Sequence, residues 1–90
     1  MIYKLQKPHT AEGKEYTELN LDLEKLSGRD LVNAAREARL LGDASQVPET
    51  SHTYLAVVAA KAASVNVDVI LSLPAKDFTA VKSLVQDFLL

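Results

Sequence analysis

Two histidines, several carboxylates and one lysine set inside an apolar run are the side chains of this sequence that could do chemistry. His9 and His52 are far apart in the chain, and no carboxylate stands at ligand spacing from either, so they do not make a metal site. Asp43, Ser45 and His52 can be drawn as a nucleophilic triad. They fall in or beside one loop, however, with neither the strained nucleophile turn nor the oxyanion donors that such chemistry requires. Turn and capping roles account for all three. Glu12, Glu15 and Glu18 recur at close intervals, but on a loop and a strand they point in differing directions and solvate a hairpin. Gly13, Gly28 and Gly42 are too dispersed to cradle a phosphate. Cysteine is absent, which excludes disulfides, thiolate catalysis and cysteine-bound zinc. No catalytic, metal-binding or cofactor-binding residue is expected, and no enzymatic activity.

The bulk composition narrows the class further. Ninety residues, 48% of them hydrophobic and 24% charged, suit one folded domain near the lower size limit for a self-sufficient core. With three Tyr, two Phe and no Trp, that core must be built from Leu, Val and Ala. Domains this small often gain stability by association, so a homo-oligomer is a possible state. Ten basic residues are interleaved with twelve acidic ones for a formal charge of −2, and phosphate-backbone binding needs clustered cations instead. Arg29, Arg36 and Arg39 come nearest to a cluster, but Asp30 and Glu37 sit among them. A small helical DNA-binding or transcriptional regulator, reading with this segment, is the alternative that the mixed charge argues against. The N-terminus lacks the apolar core of a signal peptide, and the apolar stretch 54–73 is interrupted by Lys61, Asn66 and Asp68. No membrane or nucleic-acid partner is expected, and the chain reads as cytosolic and soluble.

The elements that position these residues follow from periodicity. Residues 2–7 and 15–23 read as a β-hairpin, the second strand alternating Thr17, Leu19, Leu21 and Leu23 with Glu18, Asn20 and Asp22. Tyr3 and Leu5 supply the matching inward positions. The loop between them, 8–13, can be closed by Gly13 in a left-handed conformation. Ser27 and Asp30 fit a reciprocal capping box for a helix over 28–41, with Gly42 as its C-terminal cap and a loop over 43–49 after it. Thr50 or Ser51 caps a second helix over about 51–64. It is apolar almost all round, as expected of a central core helix or of one packed on a partner. Lys61 within it is expected to run its stem out to water, with contact to a partner as the alternative. A short helix over 67–72 starts at Asn66 or Val67, with Asp68 near its positive end. Pro74 fits the first position of the last helix. That helix places Phe78, Val81, Leu84, Val85, Phe88 and Leu89 on one stripe, with Lys76, Lys82, Ser83 and Gln86 outside it. Ordering such a segment costs about as much as one buried stripe returns, so it must dock on something. The whole reads as an α+β domain over 1–90: an N-terminal β-hairpin (1–24), then three to four short α-helices packed as a small helical domain (27–90).

Several stretches in this order resemble the small tail assembly proteins, or tail assembly chaperones, of long-tailed bacteriophages and prophages. They are Lys4-Leu-Gln-Lys-Pro8, Gly13-Lys-Glu-Tyr-Thr-Glu-Leu19, Leu26-Ser-Gly-Arg-Asp-Leu31, Val57-Val-Ala-Ala-Lys-Ala-Ala63, Leu73-Pro-Ala-Lys-Asp-Phe78 and Val85-Gln-Asp-Phe-Leu-Leu90. The resemblance implies a non-enzymatic helper of virion morphogenesis in the cytoplasm of the bacterial host, not expected in the mature virion. It would bind the long helical tape measure protein, keep it soluble and help recruit tail tube protein. Gripping an amphipathic helix needs apolar surface and no catalytic group. The best supply is on the second and last helices, and the candidate partner-binding residues are Tyr54, Val58, Lys61, Val81, Val85, Phe88, Leu89 and Leu90. Core packing explains most of these positions equally, and edge residues such as Tyr54, Leu89 and Leu90 are expected to stay exposed.

Overall fold

A computed structural model describes residues 1–42 and 51–90. The sequence expectations that fall on 43–50, including Asp43, Ser45, Pro48 and Thr50, lie outside the described residues. The observed order is an antiparallel hairpin, β1 (Ile2–Ala11) and β2 (Lys14–Asn20), followed by a 3₁₀ turn (Leu23–Lys25). Four helices complete it: α1 (Gly28–Leu40), α2 (His52–Ala63), α3 (Val67–Leu71) and α4 (Ala75–Leu89). This is the expected α+β arrangement, with differences in detail that have physical causes.

The strands run further towards the hairpin tip than expected. Ala11 pairs with Lys14 across a two-residue turn in which Glu12 (φ 56°) and Gly13 (φ 74°) are both left-handed. That is the mirror-image turn whose twist suits a hairpin. The expected longer loop is replaced by an irregular stretch of strand, because β1 passes from Lys4 to His9 while β2 advances only from Glu18 to Tyr16. Pro8 lies in this bulge, where a missing N–H breaks no ladder. Opposite the bulge the alternation also slips. Tyr16 is half-buried against the core, and Thr17, expected to face inward, is exposed. The strand ends at Asn20, but Leu21 and Leu23 keep their expected inward positions. Backbone bonds from Leu21 N–H to Met1 O (2.7 Å) and from Asp22 N–H to Ala62 O (3.2 Å) tie this corner down.

α2 is the hub. The run from Tyr54 to Ala60 and then Ala62 are all buried, and α1, α3, α4, β2 and the 3₁₀ turn pack around it. Its alanines present little volume, so neighbouring backbones come close on every side. Its caps explain its limits. The Ser51 hydroxyl accepts from Tyr54 N–H (3.1 Å), and at the far end Ser64 takes a left-handed conformation (φ 56°). There Val65 N–H reaches back to Ala60 O (3.0 Å), a Schellman closure formed without glycine.

α1 begins with the predicted capping box. Asp30 N–H donates to the Ser27 hydroxyl (3.3 Å), and Ser27 N–H donates to the Asp30 carboxylate (2.8 Å). These bonds hold the Asp30 carboxyl below its ordinary range. Leu41 caps the end of α1, and Gly42 (φ 101°), expected as the cap, stands one place beyond it in a left-handed conformation. Pro74 is displaced by one place from its expected role. Its extended backbone (φ −55°, ψ 150°) makes it the cap before α4 and not the first helical residue, and its carbonyl accepts from Phe78 N–H (2.9 Å).

Candidate functional site

The displaced proline has a consequence for the side chain three residues on. Asp77 occupies the same helix position as Asp30, where a carboxylate ordinarily returns to the N–H of the capping residue. Proline has no such N–H. The Asp77 carboxylate turns instead to β1, where one oxygen accepts from the Tyr3 hydroxyl (2.7 Å) and from Gln6 N–H (3.2 Å). Asp77 is only 1% exposed, so these donors and the positive end of α4 compensate a buried charge. The adjacent carboxylate and burial push the Tyr3 phenol up to about 12, the hydrogen bond being the largest cause. A second tether lies nearby, where His9 Nε2 and Ser72 Oγ are 2.9 Å apart. Together these contacts join the hairpin to the α3–α4 joint.

Of the described side chains considered for chemistry, the two histidines each have a neighbour of their own. His52 opens α2 with its ring against Phe78, the centroids 6.3 Å apart. Among the described residues no three His, Asp or Glu side chains gather as a metal would need. None of their helices is long and apolar enough to cross a membrane. A depression of about 430 Å³ where Gln6 and Lys7 meet Pro74, Lys76 and Asp77 contains a carboxylate, but one already engaged by Tyr3 and Gln6.

What the fold offers is apolar surface, and only part of the expected set contributes to it. Tyr54, expected at an exposed edge, is buried, because α2 is packed by neighbours on all sides. Val58, Val81 and Val85 are fully buried in the core and out of reach of a partner. Lys61 follows its expected path outward, and its ammonium meets the Glu37 carboxylate of α1 at 3.1 Å. Leu89 is half-buried, while Phe88 and Leu90 stand 46% and 89% exposed. The stripe on α4 is thus wider than its contact with the domain. Its inner residues fill the core and its C-terminal end overhangs.

That overhang meets the start of the chain. Met1 and Phe88 line a recess of about 240 Å³ whose floor is the buried Leu21 and Leu23. Met1 and Ile2 are each 57% exposed. The recess is also lined by Asp22 and Glu24, both exposed. Sequence reasoning missed the contribution of Met1, Ile2 and this acidic rim, because only tertiary packing brings the first residue beside the last turn of α4. A separate exposed row on α1 comprises Val32 and Leu40, with Leu41 just beyond its end.

A family model described as "Phage tail assembly chaperone proteins, E, or 41 or 14" matches residues 2–90. No curated protein and no solved structure matches the chain.

Proposed function

The chain belongs to the phage tail assembly chaperone family, and from that premise we propose that it binds the tape measure protein, keeps it soluble and helps recruit tail tube subunits to it. The work is done by binding alone, without catalysis, in the cytoplasm of the bacterial host. The protein leaves before the virion is complete. The observation that supports this reading is the pair Met1 and Phe88, both exposed, which line one recess with the buried Leu21 and Leu23; Ile2 and Leu90 are exposed as well. Large apolar side chains grouped on the surface of a small chain mark a docking site for another polypeptide. An amphipathic helix is the natural occupant, since it presents side chains at the spacing that such a recess and its flanks can take.

Burying exposed Phe, Leu and Met side chains at such a corner returns roughly 1.5–3 kcal/mol for each one fully covered. Association itself costs an estimated 4–15 kcal/mol, so one corner holds one helical segment only weakly. Many copies along a long client would hold it firmly, each leaving readily when tube subunits arrive. Co-expression with the tape measure protein of the same prophage tests the proposal. The expected result is a soluble tape measure protein that co-purifies with the chain. Failure to co-purify under several salt conditions overturns it.

A further inference from the structure

We infer that the outward face of α1 docks an acidic amphipathic helix of another protein, Arg36 receiving a carboxylate between apolar contacts at Val32 and Leu40. The inference goes beyond the chaperone reading and uses a different surface, since none of these residues lines the recess at Met1 and Phe88. α1 buries Ala34 and Ala38 in the core. Helical spacing puts Arg29, Val32, Arg36, Arg39 and Leu40 on the opposite face, and all five are exposed. The arginines of the whole chain are these three, so they share one face. The nearby carboxylates are engaged elsewhere. Asp30 accepts from Ser27 N–H (2.8 Å) in the capping box, and Glu37, on the flank, meets the Lys61 ammonium at 3.1 Å. Among the described residues no ion pair engages an arginine of this face.

Val32 and Leu40 are 61% and 81% exposed. With Arg36 midway they follow one another at intervals of four residues, a single row along the helix that spans about 12 Å. A complementary helix carries two apolar residues at the same interval with Asp or Glu between them. Apolar side chains framing unpaired cations suit a carboxylate-bearing polypeptide, whereas a phosphate backbone would leave Val32 and Leu40 uncovered. The planar guanidinium also takes a carboxylate by two bonds at once, which favours arginine over lysine in such a contact. No helix of a second copy supplies the pattern among the described residues. α1 would set arginine against arginine, α2 is enclosed by its neighbours, and α3 has only five residues. On α4 the exposed Asp87 shares its row with Thr79 and Ser83, where no apolar side chain stands.

Two synthetic amphipathic peptides test the inference by titration calorimetry against the full chain. Both carry leucines about eight residues apart and acidic flanks. They differ only midway between the leucines, where one has Glu and the other Lys. The Glu peptide is expected to bind about tenfold more tightly, as exchanging one attractive exposed pair for a repulsive one would produce. Arg36→Glu changes an exposed position and should reverse the preference, with circular dichroism confirming an unchanged fold. Leu40→Ala should weaken both peptides several-fold and keep the preference. Phe88→Asp with Leu90→Asp, at the other surface, should alter neither affinity. Equal binding of the two peptides, binding of neither, or a preference that Arg36→Glu leaves intact would overturn the inference. So would loss of the preference in the Phe88→Asp, Leu90→Asp variant. Duplex DNA or phosphatidylserine vesicles that bind more tightly than the Glu peptide, and are released by Arg36→Glu, would overturn it in favour of a phosphate ligand. Self-association abolished by Arg36→Glu, with no peptide preference, would overturn it in favour of a second copy.

Discussion

Removing one oxygen atom from Tyr3 should loosen the attachment of the hairpin to α4 by an amount that the geometry allows to be worked out. The Tyr3 hydroxyl donates to a carboxylate that is 1% exposed, at 2.7 Å, and the second donor to that carboxylate is Gln6 N–H at 3.2 Å. A hydrogen bond to a charged group contributes about 1.5–3 kcal/mol. The rise of the phenol from 10.0 to about 12 corresponds to about 3 kcal/mol. The tyrosine is only half-buried, so screening by water brings the expected figure down to about 1.5 kcal/mol. Tyr3→Phe should therefore lose about 1.5 kcal/mol. Asp77→Ala should lose about 3, because it also leaves Gln6 N–H and the start of α4 without their anion. The double variant should lose about 3 as well, leaving a coupling of about 1.5 kcal/mol in the double-mutant cycle.

Urea unfolding with linear extrapolation measures all four proteins. The pH dependence gives an independent arm. Because the phenol titrates higher in the folded protein than its ordinary 10.0, its stabilisation is complete below pH 10 and is lost as pH rises towards 12. Wild type and Tyr3→Phe should accordingly differ at neutral pH and converge between pH 10 and 12. A Tyr3→Phe loss below about 0.3 kcal/mol, the usual limit of additivity, together with parallel pH profiles would refute the reasoning.

Three further substitutions probe the features that shape the fold. Gly13→Ala meets no atom within 4 Å at its new Cβ but must keep φ at +74°, so it should cost about 1–2 kcal/mol from backbone strain alone, read as a lower midpoint in thermal unfolding. Ala59→Leu places a large side chain at a fully buried position of the hub helix and should cost about 1–3 kcal/mol by overpacking, again by thermal unfolding. Pro74→Ala restores an N–H at the cap of α4 and gives Asp77 a local partner, so the Tyr3 phenol should titrate back towards 10. An NMR titration of the tyrosine ring reads this directly.

Local features were legible in the sequence and long-range ones were not. The capping box of α1 depends on Ser27 and Asp30 alone, three residues apart, and both its bonds form as their types predict. The burial of α2 follows from a segment with almost no polar face. Ser64 closes that helix in a left-handed conformation that its type does not announce, since glycine or asparagine is the usual signal. The bulge in β1 had Pro8 as its one sign, and its effect on Tyr16 and Thr17 depends on how the hairpin twists over the helices. Asp77 had a local clue, an aspartate three residues after a proline that cannot complete a capping box. Its partner Tyr3, however, lies at the other end of the chain. The candidate site divides in the same way. The α4 stripe is visible as periodicity, but which of Val81, Val85, Phe88 and Leu90 face outward is set by where α4 overhangs α2 and the N-terminal corner.

The apolar corner as the grip on the tape measure protein is tested most directly by Phe88→Asp combined with Leu90→Asp, co-expressed with that protein. Leu90 is 89% exposed and Phe88 46%, so the variant should stay folded with a loss of about 1–2 kcal/mol, from part of one aromatic ring and from anions at the C-terminus of α4, checked by thermal unfolding. The account predicts that the tape measure protein then becomes insoluble and no longer co-purifies. Undiminished co-purification by a folded variant would contradict it.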